Sequence, residues 1–317
     1  MQSLPSFPDV AAYDAWRADA PPWLPVAADI ARAHGLPSSP LHAFARGTNL
    51  VVALGDALIL KVYPPQLAHQ FVSERAALAQ LAGQLSIAIP QIVAEGERDG
   101  WPYLVMTRLP GTAANELWPS LTEAEKQRVI GEVGAAIAQV QRVPVGALSV
   151  LEPRWAEFIP RQIAGCRARH ERLGLPRHYL DGVDDFLRDA ASLIPLHQPP
   201  VILTGEYNPE NLMLRRDGDG WHLAGLIDFG DVMTGFGEYD LLGPGVFMTA
   251  GEPRRVAALL RGYGYGDTDL TPALRRRLML LTLLHRFSDL VRHMQIENWQ
   301  RAGSLEELER LLWPLAG

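Results

Sequence analysis

Cysteine is almost missing from this chain of 317 residues, which contains only Cys166. A single cysteine cannot form an intrachain disulfide, so we expect a fold held by its core in a reducing compartment. No apolar run approaches the roughly 18 residues that cross a bilayer. The N-terminus also lacks the basic stretch and apolar run of a signal peptide. We therefore expect a soluble, cytoplasmic protein without a membrane partner.

Lysine is scarce as well, because 27 of the 29 basic residues are arginine and only Lys61 and Lys126 are lysine. Where arginine serves almost everywhere, a remaining lysine is a candidate for a role that needs a compact point charge. Acids outnumber bases, and the net charge of −7 argues against a nucleic-acid partner.

Most of the excess acid lies in one segment. Residues 201–240 hold eight acids and two bases, a balance of −6. One interpretation is a solvated acidic loop, which is the usual role of such a cluster. The other is a divalent-metal site, because hard cations take oxygen ligands.

Short apolar segments bounded by turn residues predict an antiparallel sheet in the first third of the chain. These strands are expected at 41–44, 50–54, 58–63, 91–95 and 102–109. One helix interrupts them at 67–83, and the first forty residues are expected to form short helices broken at Pro21, Pro22 and Gly35. A small lobe of sheet plus one helix follows from this pattern.

Beyond residue 110 the pattern becomes helical, with a capping box at 122–125. Helices are predicted at 122–142, 154–172, 177–193, 252–262, 270–296 and 304–313. A strand at 201–203 and a hairpin over 211–228, turning at 217–220, stand between them. The predicted fold is α+β and bilobal. Its expected parts are an N-terminal helical extension (1–39), a small lobe (40–108) and a helical large lobe (109–317).

Two polar segments carry the chemistry, at 204–211 and 226–231. Glu206 and Asn211 are five residues apart in the loop after the strand at 201–203. A hairpin turning near residue 219 places Asn211 opposite residue 227 or Asp228, and facing residues in a hairpin lie about 5 Å apart. An amide oxygen and a carboxylate then converge, as a phosphate-bound Mg²⁺ requires. Glu206 lies close enough to accept a proton from a hydroxyl. An ordinary hairpin with a polar loop is the alternative.

These segments resemble the catalytic and metal loops of the aminoglycoside phosphotransferase and choline kinase superfamily. That superfamily is related to protein kinases, which share the acid-to-Asn spacing and the Asp-Phe-Gly at 228–230. The resemblance extends from about residue 40 to 313. The look is most like that of hygromycin B phosphotransferases in three segments, at 101–112, 283–285 and 312–313. The resemblance to the superfamily implies a protein-kinase-like bilobal fold, with ATP (or GTP) and Mg²⁺ as cofactors.

The chain departs from the superfamily at one point. The resemblance leads one to expect His-Gly-Asp, and the chain has Thr204-Gly205-Glu206. The expected base is therefore one methylene longer than usual.

The predicted small lobe also contains residues that indicate nucleotide binding. Lys61 interrupts an apolar strand, and a buried lysine is costly unless it is paired. The alternative is a lysine whose ammonium extends to solvent at the strand edge. The resemblance makes Lys61 and Glu74 the strand lysine and helix glutamate that hold ATP phosphates. It further implies nucleotide contacts from the glycine-containing loop and from the hinge between the lobes. These residues are Gly47, Thr48 and Asn49 in the loop, and Met106, Thr107 and Leu109 in the hinge.

The expected reaction is transfer of a γ-phosphoryl group to a hydroxyl of a small molecule. The resemblance implies that Asn211 and Asp228 hold metal, while Glu206 accepts the proton. Aminocyclitol antibiotics such as hygromycin B are the leading substrate, with another hydroxylated metabolite as the alternative. The residues expected to face such a substrate are Asp231, Glu238 and Asp289.

A non-catalytic nucleotide-binding pseudokinase is the competing class, because of the Thr-Gly-Glu sequence. The short segment 231–243 leaves no room for a long activation loop, which disfavours a regulated protein kinase. Asp240 is expected to be a buried structural aspartate, and the chain is expected to act as a monomer or simple homodimer.

Overall fold

The structure is a computed structural model that describes residues 3–18, 23–37, 39–45 and 47–315. Its strands are β1 (Leu41–Phe44), β2 (Leu50–Leu54), β3 (Leu58–Val62), β4 (Ile92–Arg98), β5 (Trp101–Thr107), β6 (Thr112–Ala113), β7 (Val201–Leu203), β8 (Leu212–Asp217), β9 (Gly220–Leu226) and β10 (Met233–Gly235). Its α-helices are α1 (Val10–Ala18), α2 (Leu24–Ala33), α3 (Ala68–Leu81), α4 (Ala114–Leu117), α5 (Glu123–Arg142), α6 (Trp155–Arg172), α7 (Arg177–Leu187), α8 (Ala190–Leu193), α9 (Leu242–Pro244), α10 (Pro253–Tyr263), α11 (Pro272–Leu284), α12 (Leu290–His293) and α13 (Leu305–Leu312). Pro21 and Pro22, the predicted helix break, lie outside the described residues.

The predicted small sheet is confirmed, with strand order β1-β2-β3-β5-β4 and every neighbouring pair antiparallel. β3 lies at its centre, and Lys61 pairs with Val51 on one side and Leu104 on the other. Because side chains alternate along a strand, β5 sends Trp101, Tyr103 and Val105 to one face of the sheet and Leu104 to the other.

Both faces of this sheet are covered. α3 packs on the face that carries Leu104, in a core shared with the large lobe. The N-terminal segment, which includes α1 and α2, covers the opposite face, where Tyr13, Trp23 and Ile30 join Trp101 in a second core. A sheet buried on both faces explains why β5 is apolar almost throughout rather than alternating.

The large lobe contains the predicted hairpin. β8 and β9 pair from Leu212↔Leu226 to Asp217↔Gly220, so the turn lies where the sequence predicts it. The capping box of α5 is also confirmed, because Thr122 Oγ1 accepts from the Glu125 N–H and the Glu125 carboxylate accepts from the Thr122 N–H. α5 packs closely on α10, where a Cβ on Gly262 would lie 2.0 Å from the Gly131 carbonyl oxygen.

Two predicted helices are wrong in extent. The helix predicted at 270–296 ends at Leu284, and only α12 follows before residue 296. The backbone turns away at His285, whose ring stacks on Tyr239 at 4.6 Å, and the Arg286 N–H donates to the Tyr239 hydroxyl at 2.9 Å. Tertiary contacts therefore replace the next helical turn. The helix predicted at 177–193 is likewise divided into α7 and α8.

The strand predicted at 201–203 is confirmed, and it pairs with a strand that the sequence does not predict. β7 and β10 form a two-stranded antiparallel sheet. A third sheet joins β6 to the hairpin. Within the described part of the chain, none of the helices combines the length and apolarity that crossing a bilayer requires. The arrangement is the two-lobed α+β fold that the sequence predicts.

Candidate active site between the lobes

Lys61 is the centre of a partly buried ionic cluster that joins the two lobes. Its Nζ lies 2.6 Å from Glu74 Oε2 on α3 and 2.8 Å from Asp228 Oδ1, which follows β9 in the large lobe. Lys61 is 5% exposed and Glu74 is 1% exposed. The ammonium therefore does not extend to solvent, and the sequence-based alternative of an edge lysine is wrong.

Glu74 has further partners that fix its carboxylate. The Tyr63 hydroxyl donates to Glu74 Oε2 at 2.6 Å, and the Phe229 N–H donates to Oε1 at 3.3 Å. The second bond reaches the backbone of the Asp-Phe-Gly segment. Phe229 directly follows Asp228 in the chain. The Glu74 carboxylate therefore couples the position of α3 to the position of Asp228.

Lys61 and Asp228 each stabilise the charged form of the other. Burial disfavours the charged form of Lys61, but Asp228 and Glu74 outweigh it and raise the pKa of the lysine. Burial also opposes ionisation of Asp228, and the Lys61 ammonium together with the Gly230 N–H holds the pKa of that carboxyl below its usual value. Lys61 and Asp228 are accordingly an ion pair at neutral pH.

The hairpin brings Asn211 beside Asp228, as its register predicts. The Ile227 N–H donates to the Asn211 carbonyl at 2.9 Å, one residue before Asp228. Asp228 adopts a left-handed backbone conformation with φ of 65°, and its Oδ1 accepts from the Gly230 N–H at 3.2 Å. This local turn directs the carboxylate back toward Lys61 instead of along the strand.

Glu206 is oriented by two amides from its own loop. Asn211 Nδ2 and Asn208 Nδ2 donate to Glu206 Oε2 at 2.9 Å and 3.1 Å. Burial, followed by the negative charges of Asp228 and Asp231, raises the pKa of Glu206 well above that of an ordinary glutamate. The loop itself is held by Asp240, whose oxygens accept from the Thr204 and Gly205 N–H groups, each at 2.9 Å. The expectation that Asp240 is structural is confirmed.

The donor set beside Glu206 fits a hard divalent cation. The Asn211 amide nitrogen is committed to Glu206, so its oxygen is the atom that can bind a cation, and Asp228 supplies a carboxylate. Over the described ranges, no group of three histidine, cysteine or acidic side chains could hold a metal. A cation here would take its remaining ligands from phosphate and water, which is how Mg²⁺ is usually bound.

The predicted nucleotide loop connects β1 to β2. Gly47 has φ of 96°, a conformation that glycine adopts without strain, while Arg46 lies outside the described residues. The Asn49 amide nitrogen donates to Gln70 Oε1 on α3 at 2.9 Å, which ties this loop to the helix that carries Glu74.

The predicted hinge follows the end of β5. Met106 is buried and Thr107 is the last residue of the strand. The Thr107 N–H donates to the Gln91 carbonyl at 2.9 Å, and the Arg108 N–H donates to the Ala57 carbonyl at 2.8 Å. The chain leaves the sheet here, and Leu109 is the second residue after the strand.

A cavity of about 560 Å³ opens beside Glu206 on the large lobe. Asp289 lines it, as predicted, and its Oδ1 accepts from the Arg292 N–H at the start of α12. Sequence reasoning missed most of the wall. Its aromatic and polar members include Trp118, Phe247, His285, Phe287, Asn115 and Glu210. Four of the five residues from His285 to Asp289 are polar, and they interrupt a leucine-rich stretch, which is the signal that could have indicated part of this wall.

Asp231 and Glu238 do not line this cavity. Asp231 lies near Glu206 and is 3.5 Å from Arg286 Nη1. The prediction that Glu238 faces the cleft is wrong, because Glu238 is 2% exposed and both of its oxygens lie 2.6 Å from Arg277 nitrogens. The Tyr265 hydroxyl also donates to Glu238. A carboxylate with these partners supports the packing of α11.

Known structures share this fold. The GDP complex of aminoglycoside 2'-phosphotransferase-IIIa superposes with a TM-score of 0.69 at 18% identity, covering 92% of this chain and 98% of that one. The streptomycin–ATP ternary complex of APH(2")-IIa gives a TM-score of 0.59 at 15% identity, with coverages of 86% and 93%. APH(3'')-Id from Streptomyces rimosus, solved with ADP and streptomycin, gives 0.55 at 17% identity, with coverages of 83% and 98%.

These similarities confirm the kinase-like bilobal fold. Sequence comparison gives the family itself, because the family model described as phosphotransferase enzyme family (APH) matches residues 41–281. That match spans most of the chain, including both lobes and every element of the ionic cluster. The chain therefore belongs to the APH phosphotransferase enzyme family.

Proposed function

We propose that the protein transfers the γ-phosphoryl group of ATP (or GTP) to a hydroxyl group of a small molecule, with Mg²⁺ as the metal. One observation carries the proposal. Lys61 is bound simultaneously by Glu74 and Asp228, while Asn211 orients Glu206, whose carboxyl group interacts electrostatically with both Asp228 and Lys61. A phosphate-binding cation, an acidic metal ligand and a proton acceptor are thereby assembled at one point of the cleft.

Each residue then has a distinct part. Lys61 binds nucleotide phosphates as a point charge, and Glu74 fixes its direction. Asn211 and Asp228 would hold Mg²⁺, which neutralises charge on the transferred group. Glu206 orients the acceptor hydroxyl and takes its proton, because Asn208 and Asn211 hold its carboxylate at the wall of the cavity. Most of the rate comes from this positioning and charge neutralisation.

The cavity supports an aminocyclitol or aminoglycoside as the acceptor. Segment 241–317 carries two more bases than acids, but three carboxylates line the cavity (Glu206, Glu210 and Asp289) against one arginine, Arg292. The two lining histidines add no charge, because burial lowers the pKa of His293 and, together with nearby arginines, lowers that of His285 to about 3. A cationic ring with apolar C–H faces would meet carboxylates and the aromatic walls at Trp118 and Phe287. Hygromycin B is the first compound to test.

The test is a screen of the purified protein with Mg-ATP, scored by ADP release. The panel contains hygromycin B, other aminoglycosides and uncharged hydroxylated metabolites. The matched control is Asp228→Asn, which keeps the side-chain shape and tolerates the left-handed backbone. Acceptor-dependent ADP release in the wild type, lost in the control, supports the proposal. Release with uncharged metabolites only would replace the substrate class. Nucleotide binding without any turnover would favour the pseudokinase.

A further inference from the structure

A short N-terminal segment reaches the predicted nucleotide loop. Tyr13, on α1, donates its hydroxyl to the Thr48 carbonyl at 2.8 Å, across 35 positions of sequence. Tyr13 is 1% exposed, although Thr48 itself is an exposed loop residue. Burial raises the pKa of Tyr13 to about 12, so the hydroxyl remains a donor at neutral pH.

The ring of Tyr13 is held in place by other aromatic rings. The N-terminal aromatic cluster consists of Phe7, Tyr13, Trp16 and Trp101, with ring centroids 5.2–6.4 Å apart. Trp101 belongs to β5 and donates its indole N–H to the Pro5 carbonyl at 3.1 Å. The hydroxyl of Tyr13 is thus positioned by the sheet of the small lobe, and not by α1 alone.

The same segment is hydrogen-bonded to the small lobe at two more points. The Leu4 N–H donates to Asp99 Oδ2 at 2.9 Å, and Gln66 Nε2 donates to the Phe7 carbonyl at 2.6 Å. Gln66 lies two residues before α3, whose Gln70 binds the Asn49 amide. The loop is therefore held from α3 through Asn49 and from α1 through Thr48.

The bond to Thr48 also orients the next peptide N–H. A trans peptide is planar, and its C=O and N–H point in opposite directions. With the Thr48 carbonyl directed at Tyr13, the Asn49 N–H is directed away from α1. Backbone N–H groups arranged in this way are the usual phosphate contacts of a glycine-containing loop.

We propose that Tyr13 is a positioning residue for nucleotide binding, which acts by fixing the Thr48–Asn49 peptide of the nucleotide loop. The N-terminal segment is then a working part of the nucleotide site as well as a cover for the sheet. This inference rests on the proposed function, because it needs a nucleotide in the cleft.

The test compares Tyr13→Phe with the wild type in the full chain. The substitution keeps the ring in the cluster and removes only the hydroxyl. Without this hydrogen bond the loop populates its binding conformation less often, so the Kd for ATP and the KM for ATP should rise by up to about fivefold. The KM for the acceptor should not change, since the acceptor cavity is elsewhere. Amide exchange of residues 47–49 in the nucleotide-free protein should become faster.

Tyr179→Phe is the matched control. The Tyr179 hydroxyl donates to the Trp299 carbonyl at 2.7 Å, in a fully buried part of the large lobe away from the cleft. The Tyr179→Phe variant loses the same kind of hydrogen bond as Tyr13→Phe. Its free energy of unfolding should therefore fall by a similar amount, while its Kd for ATP stays unchanged. An unchanged Kd in Tyr13→Phe, with wild-type exchange at residues 47–49, would overturn the inference. Failure of the wild type itself to bind ATP would instead overturn the proposed function.

Discussion

The resemblance leads one to expect an aspartate at position 206, and the structure accommodates the longer Glu206. The carboxylate turns back toward its own loop, where Asn208 and Asn211 bind the same oxygen, and Asn211 Nδ2 also lies 3.3 Å from the Glu206 carbonyl. The extra methylene is therefore absorbed by the side chain, so the Thr-Gly-Glu sequence is compatible with a proton acceptor at this position.

Substitution of Glu206 separates its charge from its length. Glu206→Gln keeps the shape, removes the acceptor charge and should lower kcat by roughly 10²–10⁴-fold. Glu206→Asp keeps the charge and should lose less. Both variants should bind Mg-ATP normally, because Asn211 and Asp228 remain. The measurement is kcat for the three proteins on an acceptor found in the screen. Wild-type kcat in Glu206→Gln would make Glu206 structural and Asp231 the next candidate for the base.

The proposed function gives Lys61 a catalytic role in addition to its structural ion pairs, so the turnover of its variants must be compared with their stability. Lys61→Met leaves Glu74 buried without its cation and should cost about 3–5 kcal/mol of unfolding free energy. Adding Glu74→Gln should recover part of that stability without recovering turnover. Lys61→Arg retains the charge but should also lose activity, since a planar guanidinium does not replace a compact ammonium. Denaturant unfolding and ADP release measure the two effects, and full turnover in Lys61→Arg would refute the assignment.

At the scale of elements, the hairpin that carries Asn211 is anchored to α5 through His222. Its Nδ1 lies 2.7 Å from Glu132 Oε1 and its Nε2 lies 2.7 Å from Asp219 Oδ1. Both nitrogens can donate only when the ring is protonated. The hydrogen bond to Glu132, followed by that to Asp219, raises the pKa of His222.

A raised pKa in the folded state predicts the sign of the pH dependence. The stabilisation from His222 is complete below its unfolded pKa, about 6.5, and is lost as pH rises through the higher folded value. His222→Gln should therefore lower the unfolding free energy more at about pH 6 than at about pH 9. His178→Gln is the control, because the hydrogen bond of His178 is to the backbone carbonyl of Ala302. Equal losses for His222→Gln at both pH values would contradict the prediction.

The elements that the sequence predicts well are those with a local cause. The hairpin turn at 217–220 and the capping box at Thr122 depend on residues a few positions apart. The end of α11 does not, because the backbone at His285 is turned by Tyr239, which lies far earlier in the chain. Glu238 was misplaced for the same reason, since its burial depends on Arg277. Long-range partners of this kind leave no periodic signal.

The residues of the candidate site also divide into those with a local cause and those that depend on distant parts of the chain. Glu206, Asn211 and Asp228 are spaced by one loop and one hairpin, so their convergence could be predicted from local geometry. The partner of Lys61 on α3 needed the resemblance to be identified. The cavity wall could not be predicted, because it combines residues from α4 to α12 that no single motif contains. Tyr13 was missed because its bond to Thr48 joins two otherwise unremarkable segments.

At the scale of the whole molecule, the ionic cluster is one of the places where the two lobes are in contact. Lys61 and Glu74 come from the small lobe, and Asp228 comes from the large lobe. Binding of Mg-ATP should consequently stabilise the folded state as a unit, since a ligand that binds only the folded protein raises its melting temperature.

The most direct test of the central claim is the melting temperature of wild type and Asp228→Asn, with ATP, in the presence and absence of Mg²⁺. The wild type should be stabilised by ATP strongly only when Mg²⁺ is present. Asp228→Asn should lose this Mg²⁺-dependent shift while its ligand-free form still unfolds cooperatively, because Lys61 keeps its partner Glu74. Equal Mg²⁺-dependent stabilisation of the two proteins would contradict the placement of the nucleotide and metal site between the lobes.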